Sequence, residues 1–225
     1  MKNINDICFI IQARLNSERV PGKMIRKFND STLVDIAIQK LIDSDAPNDQ
    51  IYLSVHESQL IDIGKKYPIN IYQRSHESAN IDNGIQTLFE WWDKLPYKYI
   101  IMISACNPLL KVETINSFIN TFINNDANGM FSVIAKKNYF WSIDGTMMNA
   151  WPEGQDLLNT KAVETTYEAA HCLYASQMDS IGKGKWCGSW LKKHDPTLFE
   201  VPELETFDID YEWQFKVAEQ LYNNI

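Results

Sequence analysis

The chain has 225 residues, enough for one large α/β domain, alone or with a small appendage. Its 45% hydrophobic and 22% charged residues are ordinary for a globular protein, and no apolar run approaches the roughly 18 residues that would span a membrane. A net charge of −8 argues against a protein held on nucleic acid by phosphate neutralisation, but it leaves open a small anionic substrate gripped by a few local cations. ICFIIQ, from Ile7, is a short continuous apolar run, as expected of a strand buried on both faces. A helix is predicted from about Thr32, where Thr32 and Asp35 fit a capping box and Leu33, Ile36, Ala37 and Leu41 form the apolar stripe. IYLSV, from Ile51, is the second predicted strand, and a short helix around Leu60 and Ile61 ends before Pro68. INIYQ, from Ile69, is the third strand. The helix predicted after it carries Ile81, Ile85, Leu88, Phe89 and Trp92 at helical period. YIIMIS, from Tyr99, and FSVIA, from Phe131, are two further strands, and the helix between them has Val112, Ile115, Phe118, Ile119 and Phe122 on one face. Residues 137–190 are irregular and hold Trp141, Trp151, Trp186 and Trp190. The chain ends in a strand-like FDID, from Phe207, and a helix bearing Phe215, Ala218 and Leu221.

Strands alternating with helices at this spacing predict right-handed βαβ crossovers and a mainly parallel sheet. Ligands of such sheets bind beyond the carboxyl ends of the strands, so the loops that begin at Gln12, Gln73 and Ser104 are the ones to inspect. The start, MKNINDICFIIQARL, does not read as a signal peptide: its apolar stretch is short, follows Asp6 and runs directly into charged sequence. Cys8, Cys106, Cys172 and Cys187 show no CxxC spacing, which predicts reduced thiols in a cytoplasmic protein.

The first loop, QARLNSERVPGKM, concentrates Arg14, Arg19 and Lys23 with Asn16, Ser17 and Gly22. It reads either as a solvated basic loop or as a phosphate grip, because a triphosphate needs positive charge, hydroxyl or amide donors and closely approaching backbone. There is neither a GxxxxGK[ST] nor a GxGxxG motif, so neither a P-loop ATPase nor a dinucleotide fold is supported. In FDID, two carboxylates at i and i+2 of an extended segment point the same way and suit a hard dication. The alternatives are two exposed acids, or Asp210 as N-cap of the last helix.

ARLNSERVPGKM resembles the N-terminal signature of the acylneuraminate cytidylyltransferases, the CMP-sialic acid synthetases, and of their CMP-Kdo synthetase relatives. It is also similar to the spore-coat polysaccharide cytidylyltransferases. The resemblance implies a three-layer, Rossmann-like fold of the nucleotide-diphospho-sugar transferase type, with helices on both faces of the sheet. It implies an enzyme that joins CMP from CTP to an acidic sugar, with Mg²⁺ as cofactor and pyrophosphate as product. On this resemblance Ala13, Arg14, Asn16, Ser17 and Lys23 hold the nucleotide, and Arg14 and Lys23 act in catalysis. Asparagine usually follows the lysine in the family; here it is Met24.

QRSHESANIDNG, residues 73–84, resembles the family's base-facing segment. Arg74 is then the base-proximal arginine, and Ser78 and Ala79 are the small residues that admit the pyrimidine. His76 is expected to be a surface residue. FDIDYEWQFKVAEQLY matches the family's C-terminal segment nearly position by position, so the resemblance makes Asp208 and Asp210 the metal ligands, with Asp210 also catalytic. Two segments depart from the pattern. ISACNPLLK, residues 103–111, lacks the family's glutamine and threonine, and AAHCLYA, residues 169–175, has His171 in a region where Asn-Gly is common. The 137–190 insertion, by resemblance and by its aromatic content, is expected to form a homodimer contact. Two other readings are a glycosyltransferase and a non-catalytic nucleotide-binding relative. The basic first loop and the C-terminal place of the acid pair weigh against the former.

Overall fold

The computed structural model describes residues 1–80 and 84–224. The elements in chain order are β1 (Ile7–Gln12), α1 (Leu33–Ile42), β2 (Ile51–Val55), α2 (Ser58–Gly64), β3 (Asn70–Gln73), α3 (His76–Asn80) and α4 (Ile85–Leu88). There follow β4 (Tyr99–Ile103), α5 (Val112–Asn124), β5 (Gly129–Lys136), β6 (Thr166–Gln177), α6 (Met178–Gly182), β7 (Thr197–Glu200) and α7 (Glu212–Tyr222). The strands form one seven-stranded sheet in the order β3-β2-β1-β4-β6-β5-β7. β1 to β4 pair in parallel, β6 runs antiparallel to both β4 and β5, and β7 is again parallel to β5.

The apolar run of β1 is buried on both sides because helices cover both faces of the sheet. Ile7, Phe9 and Ile11 pack into the larger core with the apolar stripes of α1 and α5 and with Phe215 and Ala218 of α7. Cys8 and Ile10 face the smaller core built from Phe89, Trp91, Ile100, Met178 and Ile181. The capping of α1 is as expected: Thr32 accepts from Asp35 N at 3.2 Å.

Three expectations are corrected. The helix expected to carry Ile85, Leu88, Phe89 and Trp92 is broken: α3 ends at Asn80, Gly84 with φ of 86° opens the single turn of α4, and residues 90–93 form a 3₁₀ turn. Ile81 lies outside the described residues. FDID is not in the sheet: residues 207–210 have no ladder partner, and Ile209 N donates instead to Cys106 O at 3.1 Å. Within the stretch 137–190 only residues 166–182 are regular, as β6 and α6; the rest is irregular. β6, a 12-residue strand, inserts between β4 and β5 inside the sheet. Its pattern is hard to read because its pairing slips between Phe131 and Val133, and His171 takes a left-handed φ of 51°. The Ser132 hydroxyl repairs that gap by accepting from Leu173 N at 3.0 Å and Cys172 N at 3.4 Å. The four cysteines are free thiols. Among the described residues, no helix is long and apolar enough to cross a membrane.

Candidate active site

A cleft of about 620 Å³ opens beyond the carboxyl ends of β1 and β3. Its lining includes Ala13, Arg14, Asn16, Ser17, Lys23, Arg74 and Ser78, so most of the nucleotide residues expected from the sequence converge on it. Ala79 is buried next to it, and its carbonyl accepts from Arg14 Nη1 at 3.4 Å. The first loop is folded on its own backbone: Gly22, with φ of 65°, presents a carbonyl that accepts from both Ile25 N and Arg26 N. That turn carries Lys23 inward to 8% exposure, whereas Arg14 and Asn16 stay exposed. The loop is pinned to α7, where Arg26 forks onto Glu212 at 2.7 and 2.5 Å and Phe28 packs edge-on against Phe215 at 5.4 Å.

This docking brings the two ends of the chain together. Lys23 Nζ donates to Ile209 O and stands 3.6 Å from Asp210 Oδ1, which also pairs with Arg19 at 2.7 Å. Asp210 does not cap α7. Tyr211 occupies the cap position, and Gln214 Oε1 reaches back to accept from the N–H groups of Asp210 and Tyr211, each at 2.7 Å. Asp208 is half-buried, and its Oδ1 has no hydrogen-bond partner. Burial and the neighbouring Asp210 charge push its carboxyl above the usual range, against the pull of Lys23 and His171. A buried carboxylate oxygen left unpaired beside a second carboxylate is suited to a cation, so the pair fits a divalent ion. Among the described residues, no group of three His, Cys, Asp or Glu side chains is arranged to hold a metal. An ion here would complete its shell with oxygens of a ligand.

Arg74 is buried to 3% exposure. Its Nε donates to Ser78 Oγ at 3.1 Å and its Nη2 to the Ser78 carbonyl, and burial lowers the guanidinium to about 10. It thus builds the wall of the cleft by clamping α3. His76 is exposed, as expected, with its ring 5.6 Å from that of His56. The sequence reading missed three participants. Gln12 lines the cleft and is oriented by Trp91 Nε1, which donates to its Oε1 at 2.9 Å. Glu57 fixes the first loop by accepting from Leu15 N at 2.8 Å. Cys106 lines the cleft within the field of Lys23 and Asp208, and burial raises its thiol. Gln12 at the end of β1 and Cys106 in the loop after β4 stand where the strand ends mark out the site; nothing local marks Glu57.

Among solved structures, the chain is similar to "CMP:2-keto-3-deoxy-manno-octonic acid synthetase complexed with CTP", with a TM-score of 0.68 and 12% identity over 97% of this chain and 99% of that one. It is also similar to 4-diphosphocytidyl-2C-methyl-D-erythritol synthase from Anaerococcus prevotii, with a TM-score of 0.67 and 14% identity over 98% of this chain and 100% of that one. The fold is therefore that of the α/β nucleotidyltransferases. The sequence profile of the family described as "Cytidylyltransferase" matches residues 8–181, and the chain belongs to that family and is a nucleotidyltransferase. Over 97% of its length it is 24% identical to the spore coat polysaccharide biosynthesis protein SpsF of Bacillus subtilis, covering 87% of that protein.

Proposed function

We propose that this cytidylyltransferase binds CTP with Mg²⁺ and transfers CMP to an acidic sugar of the nonulosonate or Kdo type. A sugar hydroxyl attacks the α-phosphorus in line, the bond from that phosphorus to the bridging oxygen of the β-phosphate breaks, and pyrophosphate leaves. The observation that carries the reading is the position of Lys23, which lines the cleft and at the same time holds the segment of Asp208 and Asp210. Arg14, Asn16, Ser17 and Lys23 neutralise and orient the phosphates, while Arg74, Ser78 and Ala79 shape the pocket of the base. Asp208 and Asp210 would hold the ion, which when bound lowers the pKa of the attacking hydroxyl and offsets charge on the leaving group. A polysaccharide-biosynthesis relative and a fold neighbour named as a CMP-Kdo synthetase complexed with CTP support a sugar acid as acceptor. Unpaired thiols suit work in the cytoplasm. The segment before β6 exposes Ile143, Met148, Leu157 and Leu158 beside Trp141 and Trp151, and we assign it to contact with a second copy of the chain. The test supplies CTP and Mg²⁺ with sialic, legionaminic, pseudaminic or Kdo acid and measures pyrophosphate. Release with at least one acid and none without acceptor is expected. Release with none of them, by folded protein that binds CTP, would overturn the acceptor class.

A further inference from the structure

Lys40, near the end of α1, is half-buried, with its ammonium against the far side of the loop that follows β4. Its Nζ donates to Pro108 O and lies 3.4 Å from Asn107 O. That loop is in turn joined to the segment leading to the aspartates by three bonds. Asn107, only 2% exposed, donates through Nδ2 to Thr206 O at 2.9 Å. Lys111 N donates to the buried Glu205 at 3.0 Å, and Ile209 N to Cys106 O at 3.1 Å. The loop therefore lies between Lys40 on one side and residues 205–209 on the other, with Cys106 facing the cleft.

We propose that Lys40 is a positioning residue: by gripping the carbonyls of Asn107 and Pro108 it fixes the loop of residues 104–111, and through that loop the place of Asp208 and Asp210 at the cleft. The proposal rests on the cytidylyl-transfer reading for its catalytic consequence only; the grip itself is independent of substrate.

The charges around this grip make it responsive to pH. Glu205 on the 3₁₀ turn before residues 207–210 and the Cys172 thiol of β6 act on Lys40 directly. Asp35 of its own helix and Asp43 at that helix's C-cap, Tyr67 after α2, Lys111 at the N-cap of α5 and Glu113 in its first turn, and Tyr222 of α7 line the same 530 Å³ hollow. Burial lowers the Lys40 ammonium to about 7, against the opposing pull of Glu205 and Cys172. Between that value and the ordinary 10.5, the folded chain holds a neutral amine where the unfolded chain holds an ammonium. The unfolded state then binds more protons, so the contribution of Lys40 to stability rises with pH across this window. The grip has the opposite sign, since a neutral amine binds carbonyls less strongly than an ammonium. A purely structural lysine would not separate the two.

The test uses the full chain, with Lys40→Gln, which donates without titrating, and Lys40→Met, which does neither. Hydrogen exchange is read as protection of the Lys111 and Ile209 amides at about pH 6 and about pH 8.5, with Ile101 of β4 as the internal standard. In the wild type, protection of the two loop amides is expected to fall roughly tenfold at the higher pH while Ile101 is unchanged. Lys40→Gln should be flat and Lys40→Met low at both values, with a melting temperature no lower than wild type. In turnover, Lys40→Met should lose roughly tenfold in kcat with KM for CTP nearly constant, since misplaced ligand carboxylates affect the reacting state rather than nucleotide binding. Equal protection of the loop amides in all three proteins at both pH values would overturn the grip. An unchanged kcat in Lys40→Met would overturn its positioning role. A wild-type protein that releases no pyrophosphate sinks the functional reading alone, because the exchange experiment still decides the grip.

Discussion

The ammonium of Lys23 stands 3.6 Å from Oδ1 of Asp210, joining the loop that leaves the first strand to the segment that enters the last helix. Lys23 is nearly sealed from solvent, while Asp210 is half-open and shared with Arg19. A phosphate arriving in the cleft would thus meet a cation whose present partners are a backbone carbonyl and one carboxylate oxygen. A cation bound at the carboxylates would bring its own charge to replace part of that pairing.

Lys23→Ala is expected to weaken CTP binding by about 2–4 kcal/mol, the scale of losing a desolvated charge-assisted contact. Isothermal titration in the absence of sugar measures it. An unchanged dissociation constant would mean that Lys23 only ties residues 209–210 in place.

Asp210→Asn and Asp208→Asn should each leave the fold intact and reduce pyrophosphate release by at least about a hundredfold, the scale of losing a key transition-state contact. Because Tyr211 rather than Asp210 sits at the cap of α7, no helix-capping loss complicates the Asp210 variant. Asp208 is disfavoured as a carboxylate by its burial and by Asp210, so Asp208→Asn should melt at neutral pH no lower than wild type. Wild-type turnover in either variant would remove the metal site from the mechanism.

Light scattering at micromolar concentration should give the mass of a dimer. Replacing Leu157 and Leu158, 76% and 60% exposed, with glutamate should yield monomers that keep their circular dichroism spectrum. A wild-type protein found only at the monomer mass would remove the segment from any self-contact.

Phe28→Ala should cost about 3–5 kcal/mol, as for other large-to-small changes in a packed core. Phe28 is fully buried and holds edge contacts with both Phe215 and Tyr222 of α7. Its loss loosens the first loop from the last helix, so calorimetry should show a lower melting temperature together with weaker CTP binding. A drop of less than about 1 kcal/mol would contradict the docking of loop on helix.

What the sequence by itself determined was the content of its local patterns. β1, β2, β4 and α5 stand where continuous apolar runs and the helical period put them, because burial of such runs is decided within a few residues. The cluster of Arg14, Lys23, Asn16 and Ser17 around Gly22 was equally legible, since residue types and one obligatory turn carry it. Tertiary structure alone decided the rest. It placed β6 inside the sheet, between β4 and β5, because antiparallel pairing with them is a long-range choice and the slip at His171 breaks the alternation that would have announced it. It kept FDID out of the ladder, because Ile209 N finds Cys106 O rather than a neighbouring strand. It also made Lys40 a half-buried grip: no spacing in α1 distinguishes a lysine facing water from one facing two carbonyls of a loop more than sixty residues away. That difference arises only when the sheet order lays the loop after β4 across the end of α1, and it is desolvation at that contact that changes the chemistry of the side chain.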